Sequence, residues 1–344
     1  MMQISPETQL FIREHSSDDV RVLALQAKKY PDIDMPTAIT QIAGRKVAAE
    51  KIPSWWEIEK IWYPKHLSLE QCSSEITARY KARLLQGDSL TDLTGGFGID
   101  CSFLATGFKS TTYVERQEEL CEIAAHNFPV LNLNHINIKN EDGVTYLQAM
   151  SPVDCLFLDP ARRNEHGGKT VAISDCEPNV AELEELLLQK ANRVMIKLSP
   201  MLDLSLALKE LKQTQEVHIL SVNNECKELL ILLGQTSPTE ISSHCVNLST
   251  KGTQEEQHFV FTREQEQCSE CTYTDSLETY LYEPNASLLK AGAFRSIAAA
   301  YPVRKLHPNS HLYTSDTFIE NFPGRIFRIV NQCSFNKKEV KENL

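Results

Sequence analysis

Residues 90–98 read Leu-Thr-Asp-Leu-Thr-Gly-Gly-Phe-Gly, and this stretch decides the fold. A short apolar run ends in Asp92, three glycines follow within four positions, and residues 99–105 form an apolar segment that suits a helix. Glycines after a strand let the backbone turn sharply and approach a ligand, because no Cβ stands in the way. The spacing differs from the dinucleotide fingerprint G-x-G-x-x-G, and a plain tight turn is the alternative. The stretch predicts a strand, a glycine loop and a helix suited to a nucleotide-type cofactor.

Strands and helices alternate after this loop. Further strands are predicted at residues 111–114, 135–138, 153–158 and 193–198, with a helix at 117–128. This alternation is typical of a parallel sheet with crossover helices.

Acidic residues stand where three of these strands end. Glu115 follows the second strand, 20 residues after Gly95, about where a Rossmann-type unit binds a ribose. The third strand ends in Glu141-Asp142-Gly143, where a carboxylate can accept a hydrogen bond from an adenine amine. Asp159-Pro160 follows the fourth strand. Because ligands bind at the carboxyl edge of such a sheet, these side chains are predicted to share one site.

The rest of the chain divides into a helical beginning and a mixed end. Residues 8–85 are predicted to be helical, and the aromatic cluster there either packs in a core, which we favour, or stacks on bases. That cluster comprises Trp55, Trp56, Trp62 and Tyr63. Residues 217–222 and 228–233 predict an antiparallel pair at the sheet edge, and 241–248 with 258–262 predict a hairpin. A helix at 288–300 and a strand at 324–330 predict a small α+β module.

Composition limits the cellular compartment and the partners that the protein is expected to have. The 344 residues predict two or three domains, and no apolar segment approaches the ~20 residues of a membrane span. The N-terminus lacks the features of a signal peptide, and the ten cysteines are scattered, which suits reduced thiols. We therefore predict a cytoplasmic protein without a membrane partner. Its oligomeric state is not predicted.

One cysteine pair has metal-site spacing. Cys268-x-x-Cys271 is half of a zinc site, which His244, Cys245 and His258 could in principle complete. The spacing is not a convincing zinc-finger pattern, so free thiols and no metal are expected.

Charge is distributed unevenly along the chain. The net charge is −11, which argues against a broad surface for nucleic acid. From Asn285 onward the segment carries +5, whereas the first 284 residues carry −16. A nucleic-acid backbone would therefore meet the C-terminal part.

Taken together, these landmarks resemble class I S-adenosylmethionine-dependent methyltransferases. The resemblance is closest to the bacterial group described as methyltransferases with a THUMP-like domain. The matching motifs lie between about residues 66 and 330 and comprise Ser73-Ser74-Glu75-Ile-Thr77-Ala, Asp92-Leu-Thr-Gly-Gly-Phe-Gly98, Asp159-Pro-Ala-Arg-Arg163, Lys197-Leu-Ser-Pro-Met201, Asn223-Asn-Glu-Cys-Lys-Glu228 and Tyr282-Glu-Pro-Asn285.

The resemblance implies an α/β fold with a Rossmann-like seven-strand sheet. It implies an N-terminal helical domain at 1–86, the methyltransferase domain at 87–262, a ferredoxin-like module at 277–330 and a polar tail at 331–344. Relatives continue into a THUMP-like RNA-binding domain after a segment like Phe335-Asn-Lys-Lys338, so this chain is expected to be truncated or naturally short.

The same resemblance assigns a cofactor site. S-adenosylmethionine would lie over the glycine loop, with its ribose at Glu115 and its adenine at Asp142. The full set of predicted cofactor-binding residues is Asp92, Thr94, Gly95, Gly96, Gly98, Glu115, Asp142 and Asp159.

The methylated atom is predicted from the fourth strand end. Amine methyltransferases of the Asp-Pro-Pro-Tyr type hold the target nitrogen with the Asp carboxylate and stack the base on the aromatic ring. Asp159 and Pro160 keep this pattern, and Arg162 replaces the aromatic residue. Arg162 could stack on a base, grip a phosphate or form an ion pair. These three residues are the predicted catalytic set, acting on a base amine of tRNA or rRNA.

Other functions stay open on the sequence. Carbon-5 methylation of a pyrimidine needs a cysteine nucleophile, and neither Cys155 nor Cys176 has the required position. A small-molecule or protein substrate suits the acidic composition better than RNA does. A catalytically silent cofactor-binding scaffold is the non-enzymatic alternative.

Overall fold

A computed structural model describes residues 4–162, 172–236, 238–250 and 256–333, with Arg162 described for its backbone alone. Arg163, the predicted turn at Lys251-Gly252 and most of the predicted 331–344 tail lie outside these residues. The chain divides into two units, Met1–Lys197 with Leu233–Gln235 and Leu198–Leu232 with Thr236–Leu344. The boundaries expected after residues 86, 262 and 330 stay predictions. Within the described residues, no helix combines the length and apolar character that crossing a bilayer requires.

Among the described residues, six α-helices precede the first strand, in the region predicted to be helical. They are α1 (Pro6–Glu14), α2 (Val20–Leu25), α3 (Met35–Lys51), α4 (Pro53–Trp56), α5 (His66–Gln71) and α6 (Glu75–Ala82). The Ser5 and Asp34 side chains accept backbone N–H groups at the starts of α1 and α3, which satisfies donors that a helix leaves unpaired. Phe11, Leu23 and Ile42 form a buried core between α1, α2 and α3.

The aromatic cluster is largely core. Trp55 and Tyr63 are each 2% exposed, and the Trp55 ring packs edge-on against Phe97 of the glycine loop at 5.2 Å between centroids. Trp62 stacks on His126, with 3.7 Å between centroids. The packing interpretation is therefore confirmed for Trp55 and Tyr63. Through Trp55, this core also contacts the glycine loop.

The first unit contains a parallel sheet of five strands. In chain order its elements are β1 (Ser89–Asp92), α7 (Ile99–Leu104), β2 (Ser110–Glu115), α8 (Glu118–Val130), β3 (Ile136–Asn140), α9 (Gly143–Ala149), β4 (Val153–Leu158), the short pair β5 (Ala161–Arg162) and β6 (Cys176–Glu177), α10 (Val180–Lys190) and β7 (Ala191–Leu198). The strand order is β7-β4-β1-β2-β3, with every pair parallel. The chain moves outward from β1 through β2 to β3 and then crosses back to β4. A ligand-binding crevice is expected at such a switch point, between β1 and β4.

The second unit contains two sheets. In chain order its elements are α11 (Leu204–Glu210), β8 (Thr214–Val222), β9 (Glu225–Gly234), β10 (Ser242–Leu248), β11 (Glu256–Thr262), α12 (Arg263–Cys268), β12 (Tyr280–Pro284), α13 (Ala286–Ala291), α14 (Phe294–Ala300), β13 (Arg304–Lys305), β14 (Tyr313–Ser315) and β15 (Gly324–Arg328). The first sheet has the order β11-β10-β8-β9, and the second, antiparallel sheet has the order β13-β14-β12-β15.

Two motifs of the resemblance have structural roles here. Asn223 and Asn224 both have positive φ, which suits the two-residue turn between β8 and β9. The side-chain amide oxygen of Asn224 accepts a 2.8 Å hydrogen bond from the Ala286 N–H, and Asn285 caps α13. These asparagines therefore fix the turn and the start of α13.

The α/β class with a large parallel sheet and a small C-terminal antiparallel sheet is confirmed, and three details differ from prediction. The parallel sheet of the first unit has five strands and the β11-β10-β8-β9 sheet of the second unit has four, where one sheet of seven strands was expected. In the predicted edge pair β8 is an internal strand, because β10 pairs in parallel with it and β11 is outermost on that side. The predicted helix at 288–300 is two helices, because Gly292 adopts φ +77° and ends α13.

Candidate active site

The glycine loop is held on two sides by the sheet. The Leu93 N–H donates to the Phe157 carbonyl at 3.0 Å, and the Gly95 N–H donates to the Val114 carbonyl at 2.8 Å. The Tyr113 ring packs so tightly under Gly95 that a Cβ there would come within 2.2 Å of it. Gly95 is therefore required by packing.

Gly96 has a different reason to be glycine. Its φ is +55°, and a Cβ at this position would have the Thr94 carbonyl oxygen, at 3.7 Å, as its nearest neighbour. Apart from the two chain neighbours of Gly96, no other atom of the described residues lies within 4 Å of that Cβ position, which is therefore open to a ligand.

Glu115 lies at the end of β2 and is bonded to the loop. Its carboxylate accepts the Gly96 N–H at 2.9 Å and the Gln117 N–H at 2.8 Å, one on each oxygen. A carboxylate oxygen can accept more than one hydrogen bond, so Glu115 keeps capacity for a ligand hydroxyl.

Asp92 is a buried carboxylate at the end of β1. It is 1% exposed, and one oxygen accepts the Thr94 N–H at 2.9 Å. Burial raises the pKa of Asp92 well above its usual range, and the neighbouring carboxylates of Asp100, Asp159 and Glu115 raise it further. A cationic ligand group beside Asp92 would stabilise the ionised carboxylate and offset the free-energy cost of burying its charge.

Thr94 connects the two strand ends at the switch point. Its hydroxyl accepts a 2.6 Å hydrogen bond from the Asp159 N–H. This hydrogen bond therefore links the glycine loop after β1 to the Asp159-Pro160 turn after β4. The Arg162 backbone follows in β5, where it pairs with Cys176.

Asp142 has a local role in the structure. Its Oδ1 accepts the Val144 and Thr145 N–H groups at 3.1 and 3.0 Å and so caps α9. Adenine binding by Asp142 stays a prediction.

Asp159 forms an ion pair that the sequence analysis missed. The Lys197 ammonium, from β7, contacts one oxygen of the Asp159 carboxylate. The Asp159 side chain remains 34% exposed, whereas that of Lys197 is 10% exposed. Burial raises the pKa of Asp159, and Lys197 acts in the opposite direction. The lysine therefore favours the ionised carboxylate at the site.

A second buried lysine extends this network. Lys81 of α6 is fully buried and pairs with Asp100 of α7 at 2.8 Å. Its ammonium also donates to the Ser73 hydroxyl at 2.7 Å, and that hydroxyl donates to Asp100 at 2.7 Å. Lys197 lies 3.9 Å from Asp100. Burial acts to raise the pKa of Asp100, but the two lysines outweigh burial and the pKa is lowered.

The structure therefore brings most predicted residues to one edge and adds four. Asp92, the glycine loop, Glu115 and Asp159 surround the carboxyl ends of β1, β2 and β4. The added residues are Ser73, Lys81, Asp100 and Lys197. Ser73 and Lys197 stand in motifs of the resemblance, but no sequence spacing connects them with Asp159. The register Leu158↔Ile196 between β4 and β7 puts Lys197 across from Asp159.

A doubly wound parallel sheet with a glycine loop at its switch point defines a cofactor-binding α/β protein. A crystal structure of a "putative methyltransferase" from Porphyromonas gingivalis W83 is 33% identical, covering 100% of this chain and 86% of that one, with a TM-score of 0.85. The chain belongs to the family of that protein. A ferredoxin-like domain family matches residues 280–323, which confirms the predicted C-terminal module.

Other comparisons add little. No curated protein matches the chain. An rRNA methylase from Streptococcus thermophilus is 14% identical over 46% of this chain and 93% of its own, with a TM-score of 0.34. A Streptococcus mutans protein solved in complex with SAH is 14% identical over 46% of this chain and 96% of its own, also with a TM-score of 0.34. These likenesses are too distant to carry an argument, and membership of the THUMP-like group stays a prediction.

Replacing Asp92 by asparagine should stabilise the protein without ligand. Because burial raises the pKa of Asp92, its ionisation in the folded state costs free energy that asparagine avoids. The gain should be absent below the unfolded pKa of about 3.9, grow between that pH and the raised folded pKa, and stay constant above it at roughly 1–3 kcal/mol. Urea unfolding at several pH values measures it.

The control for this series is Asp88→Asn, which changes an exposed carboxylate just before β1. If Asp92→Asn and the wild type have the same free energy of unfolding at every pH, ionised Asp92 is not a costly buried charge.

Proposed function

We propose that this chain is an S-adenosylmethionine-dependent methyltransferase that methylates a base amine of RNA, with tRNA or rRNA as substrate. The observation that carries the proposal is the meeting of the glycine loop, Glu115 and Asp159-Pro160 at the switch point between β1 and β4. Membership of the family of the Porphyromonas gingivalis protein supports the same activity.

The residues at this edge fit the cofactor. The open space over Gly96 admits a ligand against the backbone, and Glu115 would accept hydrogen bonds from the ribose hydroxyls. Asp92 would take the ammonium group of the methionine part, because its carboxylate is buried among other carboxylates and a cation there would offset the raised pKa. When bound, S-adenosylmethionine supplies an electrophilic methyl group on a sulfonium.

Asp159 has the position to act on the acceptor. Its carboxylate would accept a hydrogen bond from the target amine and stabilise the positive charge that forms on the nitrogen as it takes the methyl group. Lys197 would keep this carboxylate ionised and oriented. Pro160 fixes the turn that follows. The Arg162 side chain lies outside the described residues, so its stacking or phosphate-binding role stays a prediction.

The cysteines disfavour methylation at carbon. Carbon-5 chemistry needs a thiolate nucleophile, but Cys155 is buried within β4 and burial raises its pKa to about 11. Cys176 is also buried. An amine acceptor beside Asp159 is therefore the better match.

The proposal is tested by binding and by transfer. Calorimetry should show S-adenosylhomocysteine binding and no NAD binding. Methyl-tritiated S-adenosylmethionine should label total RNA from a strain in which the gene is deleted, and RNA from the parent strain should accept less. Binding of NAD instead of S-adenosylhomocysteine would contradict the proposed cofactor. Labelling of the protein or small-molecule fraction alone would contradict RNA as the substrate class.

Replacing Glu115 by alanine should weaken S-adenosylhomocysteine binding by about one to two decades. Charge-assisted bonds to the ribose hydroxyls are worth roughly 1.5–3 kcal/mol, and alanine also removes the acceptor for the Gly96 N–H. Titration calorimetry measures the affinity.

Glu115→Gln is the companion variant, because it keeps one carbonyl acceptor and nearly the same shape while losing the charge. It should bind with an affinity between those of the alanine variant and the wild type. Unchanged titration curves for Glu115→Ala would remove Glu115 from the site.

A further inference from the structure

Histidine and glutamate side chains gather on one face of the β11-β10-β8-β9 sheet of the second unit. Glu216 and His218 are two residues apart on β8, so both side chains lie on the same face. β10 pairs in parallel with β8 and places His244 directly across from His218. β11 pairs with β10 and places His258 across from Val246, one diagonal step from His244.

The donor atoms of this cluster are close together. One ligand atom each from Glu216, His218 and His244 can be chosen so that all three lie within 4.8 Å of one another. His218 Nε2 is 3.3 Å from a Glu216 carboxylate oxygen, and His244 Nδ1 is 3.2 Å from His258 Nε2. Ligands about 2.0–2.2 Å from a tetrahedral metal are themselves roughly 3.3–3.5 Å apart. Two of the spacings are therefore already those of a metal site.

The surroundings also suit metal ligands. His218 is 2% exposed and His244 is half-buried, so part of the site is shielded from water. Imidazole with one carboxylate is a donor set that favours Zn²⁺ over Mg²⁺ or Ca²⁺.

We propose that Glu216, His218 and His244 bind a divalent transition-metal ion of the Zn²⁺ class, with His258 as the fourth ligand. The ligands come from three neighbouring strands, so the ion would cross-link β8, β10 and the outermost strand β11. Its role would be structural, and it is independent of the methyltransferase site.

This assignment differs from the site that the cysteine spacing suggested. Among the described residues, the one cluster of three or more candidate ligands contains neither Cys268 nor Cys271. Cys245 is buried and follows His244 on β10, so its side chain points to the opposite face of the sheet. The histidine face therefore cannot use Cys245 to complete a cysteine site.

The test uses the full chain without a histidine tag, stripped by a chelator and titrated with Zn²⁺ against a chromophoric competitor. One Zn²⁺ per chain should bind, the melting temperature should rise, and Co²⁺ should give the intense visible absorption of a four-coordinate site. His244→Ala should abolish these effects, and His258→Ala should weaken binding roughly tenfold or more. The exposed His307→Gln should change nothing.

Two results would overturn the proposal. One is the absence of stoichiometric Zn²⁺ binding by the wild-type chain. The other is binding that survives His258→Ala and His244→Ala unchanged but is lost in a Cys268→Ser, Cys271→Ser double variant. Because His258 is exposed, its alanine variant keeps the test decisive even where His244→Ala fails to fold.

Discussion

Replacing Asp159 by asparagine should lower turnover by roughly two to three decades while cofactor binding stays nearly unchanged. Asparagine keeps the shape but loses the charge that complements an amine becoming cationic, an effect commonly about 2.7–4 kcal/mol. The loss also leaves the Lys197 ammonium beside the acceptor with Asp100, at 3.9 Å, as its remaining counter-charge. Single-turnover methylation of the identified substrate measures the rate, and calorimetry measures the binding.

The exposed Asp32→Asn serves as the matched control and should behave like the wild type. A turnover within tenfold of the wild type for Asp159→Asn would contradict amine activation by this carboxylate. The fold and the cofactor site would not be affected by that result.

Lys197→Met extends this prediction to pH. Burial raises the pKa of Asp159 and Lys197 opposes that rise, so removing the lysine should raise the pKa further. Because the ionised carboxylate is the active form, the acid limb of the pH–rate profile should move to higher pH in Lys197→Met. An unmoved acid limb would show that the ion pair has no part in the activity.

Replacing Gly96 by valine should abolish the rise in melting temperature that S-adenosylhomocysteine produces. The side chain would enter the open space over the loop, where the ligand is proposed to lie. At a ligand concentration of 100 times Kd the lost stabilisation is about 2.7 kcal/mol. Thermal unfolding with and without ligand measures the shift.

Valine at a positive φ also strains the backbone, so a control must carry the same strain. Gly292 has φ +77° and lies in the second unit, and no atom of the described residues comes within 4 Å of where its Cβ would be. Gly292→Val should lose stability yet keep the full ligand-induced shift. If calorimetry gives Gly96→Val and the wild type equal affinity for S-adenosylhomocysteine, the glycine loop is a plain turn and does not bind the cofactor.

Local pattern determined much of this protein from its sequence alone. The strand, glycine loop and helix at residues 89–104 follow from an apolar run, three glycines and a second apolar segment, all within reach of short-range rules. The acidic residues after the strands were found for the same reason: parallel strands end at a common edge, so Glu115 and Asp159 meet at the glycine loop.

Sequence patterns did not show the helix-capping role of one site residue or the conformational break in one helix. Asp142 lies at a strand end and also before a helix, and the structure uses one of its oxygens to cap that helix. The helix predicted at 288–300 has continuous apolar periodicity, but Gly292 adopts a left-handed φ and divides it. Periodicity records which side chains are apolar, and it does not record backbone conformation at a single glycine.

Only the tertiary structure decided the electrostatics of the site. Lys81 and Asp100 are on different helices, and Lys197 is 38 residues from Asp159, so no spacing rule relates them. They meet because α6 packs against α7 and β7 pairs with β4. Burial then raises the free-energy cost of each unpaired charge. The two lysines are therefore strongly paired with their carboxylates, and the pKa of Asp92 is high. Burial is a property of the folded chain, and for that reason the sequence could name the carboxylates but not their charge states.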